Sequence, residues 1–409
     1  WLCIIKSHPP QGETPFLPWL KTRGFLEDFY DLFPRLTGAA SPASMWDERR
    51  FVVYPPVTSA GIITPQGGRV FVSESREQSP GDALDATDSP TATHLRIPLT
   101  GGAYLEQARR QLFARHPEYL PYLLRRLAVA PGMTVIEVGC GTGAYTRLIA
   151  SVLEGKGAVI GIDTQPVLLA KAFELAKQEG WGETITFAVG APEKLPVPDA
   201  CADLVFCNSF LWRQPDPVTV LREMRRALRP GGRILAAEPD GGLIHSYHPD
   251  RPRLAELEAR FQECYARGAR ELDKHDYDIG RRLPAHFLAA GMVAVRAYPR
   301  LFTAAGCDLG DDPKAGLVER LAEYQAALQA MRDDSKGAQT KREQRSARAR
   351  AGGMSESELA DHDRLTMEYL AERAESPERI VNDGSTYLYG GVFCEGVRYE
   401  PKVTMPVSH

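Results

Sequence analysis

The chain has 409 residues, 43% of them hydrophobic and 25% charged, with 49 basic and 53 acidic side chains for a net charge of −4. That balance describes a globular protein of two or three domains with material for a large core, and it lacks the basic excess of a general nucleic-acid binder. No run approaches the roughly 18 apolar residues of a membrane span, so no membrane partner is expected. Seven cysteines without a CxxC pair suit reduced cytoplasmic thiols better than a disulfide framework or a zinc ribbon.

The chain opens on Trp1, without an initiator Met, and its first apolar run is too short for a secretory leader. Twelve of the 31 prolines fall in residues 1–100. Short apolar runs at 51–54 and 69–73, broken by Pro55-Pro56 and Gly67-Gly68, predict short strands or loops, with one helix over 25–33. Residues 78–93 are polar and rich in Pro, Asp, Ser and Thr, as a mobile linker would be. Residues 1–100 are therefore read as a Pro-rich extension that covers the active-site mouth or joins a homodimer.

From residue 101 the pattern changes. A helix is expected over 103–127, and strands over 134–138, 159–162, 184–189, 203–207 and 233–237, with helices between them. Thr164 is placed as the cap of the helix that has Pro166 in its first turn, and Asp216-Pro217 opens the next. Such alternation predicts an α/β, doubly wound, mostly parallel sheet over 101–310. A further helix over 252–272 puts Leu254, Leu257, Phe261 and Tyr265 on one face, and a strand follows over 292–303. Residues 311–380 read as a helical insertion serving as a substrate lid: Leu317, Leu321, Tyr324, Leu328 and Met331 are spaced 4-3-4-3, and Ser355 with Glu358 makes a capping box. Between Arg332 and Arg350 seven basic residues face three acidic ones with little apolar content, which predicts a solvated mobile stretch, or else a contact for an acidic partner. Residues 381–409 carry a last, aromatic-rich strand over 386–399 that returns to the sheet.

The chemistry is concentrated in residues 135–143, Val-Ile-Glu-Val-Gly-Cys-Gly-Thr-Gly, a strand running into a glycine loop and then a helix. Gly139, Gly141 and Gly143 permit positive φ and let a ligand lie against the backbone, and the loop amides at a helix N-terminus can bind an anionic group. Twenty residues after Gly143, Asp163 ends the second strand, where a carboxylate can accept both hydroxyls of a ribose. The pair implies an adenosine cofactor. Gly139, Gly141 and Ala144 also satisfy the dinucleotide fingerprint, so NAD(P) competes. Against it, Glu137 would repel a pyrophosphate but welcome an ammonium, the third glycine comes one residue early, and no tyrosine is followed by Lys four residues on.

This stretch resembles motif I of class I S-adenosylmethionine-dependent methyltransferases. Residues 193–199 (Glu-Lys-Leu-Pro-Val-Pro-Asp), 203–208 (Asp-Leu-Val-Phe-Cys-Asn), 228–235 (Leu-Arg-Pro-Gly-Gly-Arg-Ile-Leu) and 279–283 (Ile-Gly-Arg-Arg-Leu) are similar to the family's later motifs in order, and the branch resembles the ubiquinone/menaquinone and related small-molecule enzymes. The resemblance covers about residues 101–400 and implies a seven-stranded methyltransferase sheet with S-adenosylmethionine as cofactor. It implies that Gly139, Cys140, Gly141, Thr142 and Gly143 pass beneath the methionine part, and that Glu137 reaches its ammonium. Asp163 would hold the ribose with Thr164 and Gln165 beside it, and Leu168 would pack on the adenine edge. Ala191, Pro192 and Glu193 would border the adenine, although Ala191 stands where the family often has an Asp to accept from the adenine amine. Asn208, Ser209 and Phe210 would line the methyl-donor side, and Tyr104 and Arg109 would fold over the cofactor.

A sulfonium is already a strong electrophile, so the protein needs to align the acceptor, exclude water and, for some acceptors, remove a proton. Candidate bases follow the strand at 233–237: Glu238, Asp240, His245 and His248, with the two histidines put forward as the general base although surface loop histidines would look the same. His245-x-x-His248 lacks a companion carboxylate pattern, so no metal is expected. The expected reaction is methyl transfer to O, N or C of a small-molecule, biosynthetic acceptor. A cyclisation or rearrangement on the same fold, with the cofactor bound but unreacted, is the alternative.

Overall fold

The computed structural model describes residues 62–63, 69–70, 106, 109, 112–113 and 115–399. The expected strand at 51–54, the helix at 25–33, the linker and Tyr104 lie outside these residues. Leading in, Glu106, Arg109, Leu112, Phe113 and Arg115 are helical, the helix is interrupted at His116, and α1 (Tyr119–Leu127) follows, so the helix expected over 103–127 does not run unbroken.

The alternating segment forms β3 (Thr134–Val138), α2 (Ala144–Leu153), β4 (Ala158–Asp163), α3 (Pro166–Gln178), β5 (Ile185–Val189), β6 (Ala202–Asn208), α4 (Pro217–Ala227) and β7 (Leu228–Pro239). These five strands are parallel, in the order β5-β4-β3-β6-β7. Parallel strands need covered faces. Ile136, Val205 and Ile234 pack toward α4, α5 (Pro252–Leu272) and α6 (Leu283–Ala289), while Val135, Leu204 and Leu235 pack toward α1, α2 and α3. Leu254, Leu257, Phe261 and Tyr265 are all buried.

The sheet is completed by β10 (Thr386–Val397), antiparallel to β7, and by β9 (Val293–Ala305), which pairs β10 from Val293↔Val397 to Ala305↔Thr386. The seven strands make the doubly wound, mostly parallel sheet expected from the sequence, and three short ones extend it to ten. At one edge β1 (Ile62–Ile63) and β2 (Arg69–Val70) form a hairpin beside β5; the other edge is β9, and β8 (His245–Tyr247) pairs β10 on the side opposite β9, beyond the end of β7.

Residues 313–381 form α7 (Pro313–Arg332), α8 (Lys336–Ala351), α9 (Glu356–Glu375) and α10 (Pro377–Val381). The capping box at Ser355 and Glu358 is formed, and Tyr324, Leu328 and Met331 pack against Tyr369 and Leu370. The basic stretch departs from expectation: it is helix α8, not a mobile segment. Its cations are met within the chain, by Arg345–Asp363, Arg348–Asp273 and Arg350–Glu356 pairs, and its backbone lies against α5 so closely that a Cβ on Gly268 would stand 1.7 Å from the Arg348 carbonyl oxygen. Thr164 does not cap α3 either. Gln165 is its N-cap, and the Asp163 carboxylate receives the Gln165 amide at 2.9 Å. Among the described residues no helix is long and apolar enough to cross a membrane.

Candidate functional site

Parallel strands deliver their C-terminal ends to one edge, and β3, β4, β6 and β7 bring Val138, Asp163, Asn208 and Pro239 there. Between β3 and α2 the loop turns on three left-handed glycines, Gly139 at φ +73°, Gly141 at +55° and Gly143 at +74°. At Gly139 a side chain is excluded twice over, since a Cβ would also sit 2.1 Å from the Phe210 ring. Phe210 thus lies on the loop from the end of β6. Cys140 and Thr142 are fully buried, and they support the loop from behind.

Asp163 faces the same loop. Its Oδ2 accepts from the Gly141 amide and its Oδ1 from the Gln165 amide, both at 2.9 Å, so it braces the glycine turn and keeps lone pairs for hydroxyl donors. Burial raises its pKa against the lowering pull of these amides. Thr164 is exposed, with Gln165 and Leu168 half-buried behind it on the first turn of α3. Beyond β5, Ala191 and Glu193 are exposed while Pro192 is buried, with Ala191 bridging to Lys194.

Beneath the loop, Glu137 is 1% exposed and its Oε2 accepts from Thr146 Oγ1. Burial pushes its carboxyl up to about 7, partly offset by the charge of Arg109. The Arg109 guanidinium lies 4.4 Å from the centre of the Tyr145 ring, and its Nη1 is buried without a hydrogen-bond partner. A buried carboxyl beneath the loop, a side-chain-free cradle and a strand-end aspartate match an adenosine cofactor that carries an ammonium. A pyrophosphate beside Glu137 would meet like charge instead.

On the far side, Asn208 is half-buried and Ser209 exposed, the latter held at φ +51°. The strain is sustained by Glu238, which the sequence offered as a base. Its carboxylate, 2% exposed, accepts from the amides of Phe210 at 3.0 Å, Leu211 at 3.0 Å and Trp212 at 3.3 Å, so it clamps the loop that carries Phe210. Burial pushes it up to about 7. Asp240 is engaged in the same way, accepting from the Arg281 amide at 2.6 Å and from its guanidinium. Neither carboxylate is available as a base. That an acid at a strand end would be consumed by the neighbouring strand's loop carries no mark in the sequence.

The two histidines have different surroundings. His245 is exposed with Nε2 3.1 Å from the Gly242 carbonyl. His248 is 1% exposed, with Nε2 3.1 Å from Glu258 and its ring against Tyr369 and Tyr387. His248 therefore sits in the junction between α5, α9 and β10.

Residues 130–278 match the family model described as "Methyltransferase domain". The chain is 30% identical over 212 residues to a demethylmenaquinone methyltransferase of Anoxybacillus flavithermus, a match covering 49% of this chain and 87% of that protein. It is 31% identical over 153 residues to a 2-phytyl-1,4-naphtoquinone methyltransferase of Synechococcus elongatus, covering 37% of this chain and 61% of the relative. Among solved structures, a putative sarcosine dimethylglycine methyltransferase from Galdieria sulphuraria aligns at a TM-score of 0.37 and 16% identity, over 71% of this chain and 88% of that one.

Proposed function

The chain belongs to the class I S-adenosylmethionine-dependent methyltransferase superfamily, and on that premise we propose that it moves a methyl group to an O, N or C nucleophile of a small-molecule acceptor. The observation that carries the proposal is the placing of Glu137 and Asp163 on either side of the left-handed glycine loop. Bound there, S-adenosylmethionine supplies an electrophilic methyl on a sulfonium. The residues of the chain bind and orient: Glu137 takes the ammonium, Asp163 the ribose hydroxyls, and the backbone of residues 139–143 the methionine part. Phe210, held by Glu238, closes the loop from the β6 side and excludes water. His245, exposed at the start of β8, is the residue we assign to accept a proton from an acceptor that must lose one. The names of the relatives favour a small-molecule acceptor.

The test is incubation with labelled S-adenosylmethionine and a panel of small hydroxy- and amino-arenes and quinols, read by mass. Methylated product together with S-adenosylhomocysteine is expected. Turnover of an acceptor without S-adenosylhomocysteine would mark the rearrangement chemistry instead. Asp163→Ala should lower cofactor affinity by about 1–3 kcal/mol, and an unchanged Kd in calorimetry would remove Asp163 from the site.

A further inference from the structure

His116, where the helix is interrupted before α1, meets the start of β10. That strand pairs with β7 only as far as Gly391↔Pro239 and resumes with Leu388↔His245, so Tyr389 lies in the gap where residues 240–244 leave the sheet. It stands past the C-terminal end of β7, on the edge to which the parallel strands deliver Asp163 and Asn208. β10 is two strands from β6, about 10 Å at ordinary strand spacing. The Tyr389 hydroxyl is 2.6 Å from His116 Nε2, and among the described residues it bonds to His116 alone. Phe302 stacks on the Tyr389 ring at 5.4 Å and lies 4.5 Å from the imidazole, which gives the pair an aromatic wall. His116 is buried and Tyr389 half-buried.

The protonation of His116 sets the direction of this hydrogen bond. Burial, with the charges of Arg300 and Arg115, holds the imidazole below its ordinary 6.5, against the raising pull of Glu118 and Asp308. The ring is therefore neutral at neutral pH. Glu118, itself paired with Arg300 at 2.6 Å, puts Oε1 3.8 Å from Nδ1, which places the one ring proton there and leaves Nε2 bare. Tyr389 is kept protonated by burial and by Glu118 in spite of Arg115 and Arg320, so it donates to Nε2. Its oxygen then has lone pairs to offer and no proton. A hydroxyl fixed in that sense takes a hydrogen-bond donor and rejects an acceptor.

We propose that Tyr389 binds an O–H or N–H group of the acceptor other than the one that is methylated, and that His116 is the positioning residue that turns Tyr389 to do so. The inference deepens the methyl-transfer reading and rests on it. The acceptor class is an aromatic ring system with a hydrogen-bond donor remote from its nucleophile. The span from β6 to β10 suits two groups on a fused ring system better than neighbours on a single ring. Tyr389 here binds and removes no proton.

The experiment is calorimetry on the full chain saturated with S-adenosylhomocysteine. The probes are 2,7-dihydroxynaphthalene and its monomethyl ether, 7-methoxy-2-naphthol, which share a nucleophile and differ in whether the remote oxygen carries a proton. Wild type, Tyr389→Phe, His116→Gln and His116→Phe are compared. In wild type at neutral pH the diol should bind about tenfold more tightly than the ether, and Tyr389→Phe should bring that ratio near one. His116→Gln, whose amide oxygen can still take the Tyr389 proton, should keep most of the ratio, and His116→Phe should lose it. In wild type the ratio should also shrink as pH falls through the lowered pKa of His116, because an imidazolium donates to Tyr389 and turns the phenol proton outward. A merely structural histidine would leave the ratio flat with pH. Both probes meet the same loaded protein, so titration of Glu137 cancels from the ratio. A ratio near one in wild type, or one that survives Tyr389→Phe, overturns the inference and leaves the methyl-transfer reading standing. So does failure of both probes to bind a protein that takes S-adenosylhomocysteine. Absence of S-adenosylhomocysteine binding overturns the methyl-transfer reading and the inference together.

Discussion

Glu137 and Glu238 lie near the C-terminal ends of β3 and β7, the strands on either side of β6, are almost equally buried, and are both pushed up to about 7, yet their surroundings differ. Backbone amides of three residues satisfy Glu238, whereas Glu137 has Thr146 and the charges of two arginines, Arg109 and Arg147. The difference predicts separate pH behaviour. An ammonium binds the ionised form of Glu137, so affinity for S-adenosylhomocysteine should weaken by up to about tenfold for each pH unit below about 7 and level off above it. Calorimetry from pH 5.5 to 8.5 checks this, and Glu137→Gln should give a weak, nearly flat profile.

For folding the sign is reversed. Both folded-state pKa values are raised above the ordinary 4.5, so the contribution of each is fully present below that value and lost as pH rises through about 7. At most about 3 kcal/mol is involved for each group. The urea midpoint of the ligand-free protein should fall less between pH 5 and 7.5 in Glu238→Gln than in wild type.

At the scale of elements, α5 and α8 show what a sequence can and cannot disclose. The apolar face of α5 was legible in the spacing of Leu254, Leu257, Phe261 and Tyr265, as the parallel strands and glycine loop were in their apolar runs. α8 has no apolar stripe to read. It is held by ion pairs with distant carboxylates and by close backbone contact at Gly268 and Gly352, features that exist only after α5 and α9 are in place. The same holds for the site: Asp163 and the glycines announce themselves by spacing, while the Glu238 clamp and the burial of His248 depend on chain segments that meet across the fold. Gly268→Ala should therefore separate the two helices and lower stability by about 1–3 kcal/mol, measured by urea unfolding. A midpoint within error of wild type would show that the contact relaxes freely.

For the whole molecule, β1 and β2 place part of the first hundred residues on the sheet, beside β5 and one strand away from Asp163. Removal of residues 1–95 should leave S-adenosylhomocysteine affinity within about threefold of wild type, because Glu137, Asp163 and the glycine loop lie elsewhere. It should also increase self-association in light scattering, because it bares the β5 edge. A large loss of affinity in a folded product would assign the extension to the cofactor site.

Next to the opposite edge, the inner side of β10 is shared by two segments of one excursion. It pairs with β7 as far as Gly391↔Pro239 and with β8 at Thr386–Leu388, so residues 240–244 leave the sheet and rejoin the same strand. A loop fastened at both ends to one strand can lengthen or change its side chains without disturbing the register of either neighbour. Evolution could reshape that part of the molecule one insertion at a time, while the parallel strands that end at the glycine loop keep their geometry.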